Sequence, residues 1–299
     1  MIDSVNKSGL NSFHLAGIVP IAGQPLEFGF PWHPSLNPLD VDYLAIERAV
    51  YECAMVGCET IWIVCHREVQ PLVKKTVGEW ILDPCSGQGP YGTDTVRRVP
   101  IYYVPIHPKD RNRRDCLGWS ALYGALSAYW VSRKMSKWLI PDMYYTAFPY
   151  GVYPVEFLRE HRRDISSRKK FLLKSEGKTI KDGLPLGFTF DGEDFKICRK
   201  IVRAESINMF GPDGKKLPIK KRYTARHFPL DKVFEGVIIG ENSKSAEVPW
   251  FYDVSTWCGY KDYIASGKKL DKYKEMKYNE WRTIDWNPCP EEGDESEQD

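Results

Sequence analysis

Apolar positions fall in short blocks through the first half of the chain, separated by stretches with helical periodicity. Residues 14–23 form a run of small and β-branched side chains that predicts a buried strand ending at an Ala-Gly turn. A glycine there lets backbone N–H groups approach a ligand. Residues 40–54 predict a helix with Leu44, Ala45, Ala49, Val50 and Cys53 on one face, Asp40 as its cap and Gly57 closing it. A second buried strand is predicted at 60–65, a helix at 67–81 with Pro71 near its start, and a third strand at 99–106. Between them, 85–93 is a Gly- and Pro-rich loop. A long helix follows at 117–135, then a short fourth strand at 137–140. This alternation predicts an α/β fold, Rossmann-like, with a mainly parallel central sheet and helices on both faces.

The second half is less regular. Short strands are predicted at 187–190, 195–197, 237–240 and 251–254, and a helix at 260–265, together an irregular α+β insertion. The expected organisation is a flexible N-terminus over 1–13, a nucleotide-binding half over 14–150, an acceptor-side half over 151–288 completing the same domain, and an acidic disordered tail over 289–299.

Composition narrows the class. A chain of 299 residues with 42% hydrophobic content can bury a large core. No apolar run is long enough to span a membrane, and residues 1–7 lack the apolar centre of a signal peptide. Eight scattered cysteines without a Cys-x-x-Cys pair suit reduced thiols and a cytoplasmic location. The net charge is +2, but Glu291 to Asp299 carries six acids and no base, so the rest of the chain stands at +8. A body of that charge suits polyanionic partners and equally suits plain solubility.

Three stretches then carry a resemblance. Gly17-Ile18-Val19-Pro20-Ile21-Ala22-Gly23, Cys116-Leu117-Gly118-Trp119-Ser120-Ala121 and Trp250-Phe251-Tyr252-Asp253-Val254-Ser255-Thr256 with Tyr260 resemble, in order, three elements of the sugar-phosphate nucleotidylyltransferases. Those elements are the first strand with its nucleotide loop, a glycine-containing helix start near base and ribose, and a late Trp-x-Asp-x-Gly-Thr element. The resemblance implies the wider nucleotide-diphospho-sugar transferase fold (GT-A type) over roughly 14–266. It also implies a divalent metal, Mg²⁺ or Mn²⁺, held by a carboxylate after the fourth strand and by the Asp of the late element. Asp142 and Asp253 match those two places. Hard oxygen ligands suit a cation that bridges a diphosphate.

One departure decides between reactions. The family's basic loop after the first strand neutralises a triphosphate, yet no Lys or Arg occurs from Ser8 to Glu47. A glycosyltransferase of the same fold binds a nucleotide-sugar and does not require those loop cations. The expected nucleotide contacts are Ala22, Gly23, Gln24 and Gly118, with Arg111, Arg113 and Arg114 offsetting diphosphate charge. Asp115 and His33 are the candidate bases for an acceptor hydroxyl. Two further clusters, Arg162, Arg163, Arg168, Lys169 and Lys170, then Lys220, Lys221 and Arg222, suit a nucleic-acid backbone. The leading expectation is therefore a metal-dependent glycosyltransferase moving sugar from a nucleotide-sugar donor to a DNA acceptor, such as hydroxymethylcytosine in bacteriophage DNA. The alternatives are a nucleotidylyltransferase making a nucleotide-sugar and a non-catalytic nucleic-acid-binding protein.

Overall fold

The computed structural model describes residues 13–23, 32–86 and 97–270. The first strand is β1 (Leu15–Pro20), followed by the small pair β2 (Pro38–Asp40) and β3 (Tyr43–Leu44). Asp40 lies in β2 and not at a helix start; α1 (Ala45–Met55) begins five residues later, where Glu47 accepts from Leu44 N–H at 2.9 Å. Then come β4 (Thr60–Cys65), α2 (Gln70–Val77), β5 (Trp80–Leu82), β6 (Arg98–Pro105), α3 (Pro108–Arg113) and α4 (Leu117–Met135). The helix expected at 67–81 is cut short by Gly78 at φ 91°, which releases Trp80–Leu82 into a strand.

The fourth parallel strand is β7 (Met143–Thr146); residues 137–139, expected as strand, are a 3-10 turn. Beyond it lie β8 (Gly151–Val152), α5 (Leu158–Ile165), β9 (Phe171–Lys174), β10 (Phe188–Phe190) and α6 (Gly192–Ala204). Residues 195–197 belong to α6, whose N-cap Asp191 accepts from two backbone N–H groups. The chain continues through α7 (Ile219–Arg222), α8 (Leu230–Phe234), β11 (Lys244–Glu247), β12 (Tyr252–Asp253) and α9 (Trp257–Ala265). Residues 237–240 are not a strand; β11 takes that role seven residues later.

Eight strands form one sheet in the order β11-β9-β10-β7-β1-β4-β6-β5, drawn from both halves of the chain. The block β7-β1-β4-β6 is parallel, while β5 and β10 run antiparallel to their neighbours. Alternation along β1 sorts the core. Leu15 and Val19 join the face covered by α1, while Ala16 and Ile18 join the face covered by α4, α6 and α8. The outcome is the expected mainly parallel α/β sheet, with its carboxyl ends gathered at one edge.

Candidate functional site

At that edge β1 leads into Gly23, whose φ of 79° only glycine adopts readily. A Cβ on Gly23 would lie 2.6 Å from the Cys116 backbone, so the turn sits directly on the start of α4. Ala22 O accepts from Ser120 Oγ at 2.7 Å, which fastens the same turn to the helix. Gln24 lies outside the described residues. Gly118, expected to admit a base or ribose, is covered by protein: a Cβ there would lie 2.7 Å from Val233 of α8.

A cleft of about 260 Å³ opens between this turn and the late element. Gly23, Cys116 and Leu117 form one wall, Arg226 and His227 a second, and Tyr150, Asp253 and Ser255 a third. Asp253 is placed by the β12–β8 pairing opposite Gly151, and its Oδ1 accepts from Ser255 N–H at 2.9 Å. Burial pushes the Cys116 thiol up to about 12, so it is protonated at neutral pH and no nucleophile.

A polar chain runs back from Arg226. Its guanidinium donates to Asp115 Oδ2 at 3.2 Å and to the Arg111 carbonyl. The other oxygen, Asp115 Oδ1, accepts from His66 Nε2 at 2.8 Å. With Asp115 as the acceptor the ring donates from Nε2, and Nδ1 is the nitrogen turned away from the carboxylate. His33 caps a short 3-10 turn by accepting from Ser35 N–H at 3.3 Å. Burial, then the charge of neighbouring His66, pushes His33 down to about 4, so it carries no charge at neutral pH.

Sequence reasoning missed His66 and Arg226. His66 follows β4 directly, at the carboxyl end where α/β proteins bind ligands, so its position was a readable signal. Arg226 closes the basic run over 215–226, and that charge was its signal.

The arginines expected to meet phosphate are engaged with protein. Arg111 pairs with Glu68 at 2.5 Å, Arg113 lies over the Tyr223 ring, and Arg114 holds Asp110 and Ser206 while stacking on Trp119. Arg113 and Arg114 thereby tie the insertion to α3, while Arg111 ties α3 to the segment before α2.

The Asp142–Asp253 metal pair does not form. Asp142 precedes β7 and accepts from His14 N–H at 2.9 Å, at the amino end of β1. Asp253 shares a cleft with Gly23, beyond the other end of β1. Six strand residues separate the two ends, about 20 Å. After β7, where the resemblance implies a carboxylate, the chain has Ala147, Phe148, Pro149 and Tyr150. Among the described residues no three His, Cys, Asp or Glu side chains converge on a metal position. The described residues offer no set of ligands that fits Mg²⁺ or Mn²⁺.

The basic clusters separate in the same way. Arg162 forms a two-point pair with Asp83 at 2.9 and 2.6 Å and caps the carbonyls of Ala54 and Met55. Lys170 pairs with Asp194 at 2.8 Å, and Arg222 donates to Leu217 O. These three serve the fold, not a nucleic-acid surface. Arg163, Arg168 and Lys169 are exposed at the amino edge of the sheet, Arg168 lying 3.9 Å from Asp142. Lys220 and Lys221 are exposed on an arm over 207–223, just before Arg226. Bridges Asn208–Tyr223 and Phe210–Lys216 close this arm, which also exposes Phe210 and Lys215.

A strand order with its ligand cleft at the carboxyl ends invites comparison with solved structures. One similar structure, described as a glucose-1-phosphate thymidylyltransferase from Bacillus anthracis in complex with sucrose, is 12% identical, with a TM-score of 0.51 over 87% of this chain and 98% of that one. This chain shares that fold. A UDP-glucose pyrophosphorylase complexed with UDP-glucose aligns at 12% identity and TM-score 0.46, over 85% and 98% of the two chains. No protein-family model and no curated protein matches the sequence. No helix among the described residues is long and apolar enough to cross a membrane.

Proposed function

We propose that this chain is a sugar transferase that takes a nucleotide-sugar donor and works without a bound metal, with Arg226 serving the diphosphate. The observation that carries the reading is Arg226, held by Asp115 and lining the cleft beside the start of α4. A fixed guanidinium and a helix N-terminus together favour an anion. The cleft, about 260 Å³, falls below the roughly 300–1,000 Å³ of sites that enclose a whole drug-sized ligand. It suits the sugar and its adjoining phosphate, with Asp253 accepting from sugar hydroxyls.

In this reading His66 Nδ1 takes the proton of the acceptor hydroxyl while Asp115 holds the ring. The acceptor oxygen bonds to the sugar's anomeric carbon. The bond from that carbon to the diphosphate breaks, its electron pair staying on phosphate oxygen beside Arg226. The basic arm at Lys220 and Lys221 supports an anionic acceptor, for which a hydroxymethylated DNA base is our candidate. Nucleotidylyl transfer, favoured by the shared fold, requires triphosphate cations that residues 8–47 do not supply.

Thermal melts with UDP-glucose, dTDP-glucose and glucose 1-phosphate, with and without EDTA, test this. The expected result is a rise in Tm with a nucleotide-sugar that survives EDTA and is lost in Arg226→Ala. Labelled sugar should then appear on hydroxymethylated but not plain DNA. Absence of any nucleotide-sugar shift, or pyrophosphate release from a nucleoside triphosphate and a sugar 1-phosphate, overturns it.

A further inference from the structure

A second charged site lies beside the α3–α4 turn, outside the cleft. Asp115 bonds Arg226 and His66 at the cleft, whereas Arg114, the residue before it, donates from Nε to Ser206 Oγ at 3.0 Å. Ser206 follows α6 and donates to Val202 O at 3.0 Å, so Arg114 is pinned at the end of that helix. The helix brings two more arginines. Arg199 and Arg203 stand four residues apart, on one face and about 6 Å along the axis. Burial, then the charges of Arg203 and Arg114, lowers the Arg199 pKa from its ordinary value. None of the three arginines lines the cleft.

This cluster lacks its counter-charge. Among the described residues no carboxylate pairs with Arg199 or Arg203, and residues 195–204 contain no Asp or Glu. Asp110, the acid whose charge reaches Arg199, is already bound to Arg114 at 2.7 Å. Arg199 Nε is shielded from solvent and meets no acceptor among the described residues. A partly buried guanidinium without a partner is costly, and an anion relieves it. The dipole of α6 accounts for Arg203 in its last turn, but not for Arg199 a turn earlier or for Arg114 brought from α3.

Chemistry and openness select the ligand. Planar guanidiniums offer paired N–H donors, the geometry that holds phosphate oxygens. Arg203 is exposed, so a ligand is gripped from one side and needs further anchors. The arm over 207–223 supplies them. It starts directly after Ser206, its foot is closed by bonds between Ile207 and Thr224, and Arg113 lies over its Tyr223 ring. Lys215, Lys216, Lys220 and Lys221 are exposed along it, and Asp213 is its one acid. A chain of regularly repeated anions matches this layout. We propose that Arg199, Arg203 and Arg114 bind a backbone phosphate of a nucleic acid laid along the arm, which rests on the acceptor being a nucleic acid.

Anisotropy of a labelled duplex over a salt series, without any sugar donor, tests it. Arg199→Gln with Arg203→Gln should reduce the slope of log K against log salt by about 1.8. Arg203→Gln alone, at an exposed side chain outside the core, should reduce it by about 0.9 with Tm unchanged. Arg199→Lys with Arg203→Lys should keep the slope while affinity falls for want of paired donors. The nucleotide-sugar shift in Tm should be the same in all these chains, so that shift reads sugar transfer and the salt slope reads this site. A slope unchanged in both Gln variants overturns the proposal. So does inorganic phosphate that raises the wild-type Tm but not that of the double Gln variant while duplex affinity is the same in both, because the site would then take a free phosphate.

Discussion

Gly118 shows how one residue changes the reading of the whole site. As a helix-start glycine it looks like an opening for a ligand, yet the space beside it holds the side chain of Val233, itself fully buried. Gly118→Ala would place a methyl 2.7 Å from that side chain. The overlap should cost about 1–3 kcal/mol, more than the gain of up to about 1 kcal/mol from alanine's helix propensity. Urea titration should therefore find Gly118→Ala less stable by about 1–2 kcal/mol. Val233→Ala removes the obstruction, so the double variant should be more stable than the summed single effects predict by about 1–2 kcal/mol. Strict additivity would show that the glycine is not there for packing. The physical consequence is that α8 closes the approach to Gly118, and ligand space is confined to the Arg226–Asp253 side.

Arg162 illustrates the same point for elements, because a basic run can be structural. Its guanidinium joins α5 to the end of α1, accepting partners being Asp83 and the last free carbonyls of the helix. Removing it leaves a buried carboxylate whose remaining cation, Arg97, is 3.8 Å away. Arg162→Ala should lose about 2–4 kcal/mol in denaturant unfolding while leaving any nucleic-acid affinity unchanged. Legibility in the sequence follows similar lines. β1, β4 and α4 were readable because both strands are buried on two faces and α4 repeats its small residues at helical spacing. β7 was not. Trp138-Leu139-Ile140 is the more apolar run, but Ser136 caps it as a turn, and the strand is the more polar Met143-Tyr144-Tyr145-Thr146. That six-residue slip moved Asp142 from before a strand to after one. Asp253 and the Gly23 turn were legible as local patterns. The Arg226–Asp115–His66 chain was not, because its members are 49 and 111 residues apart in sequence.

At the scale of the molecule, the sheet separates two charged surfaces that look like one in the sequence. Lys220 and Lys221 lie on the arm beside the cleft, whereas Arg163, Arg168 and Lys169 precede β9 at the other edge. β9 runs parallel to β7, since each pairs antiparallel with β10, so its start lies with Asp142 and away from Arg226. A duplex seated for transfer at the cleft would touch the first group and not the second. Each phosphate contact contributes about 0.9 to the slope of log K against log salt. Lys220→Ala with Lys221→Ala should reduce that slope by about 1.8 and weaken binding of all sequences alike. Arg163→Ala, Arg168→Ala and Lys169→Ala together should leave the slope unchanged. Fluorescence anisotropy with a labelled duplex between 50 and 200 mM salt distinguishes the two sets. Equal losses from both would mean that the acceptor wraps both edges, and the cleft-side arm would then lose its special claim on it.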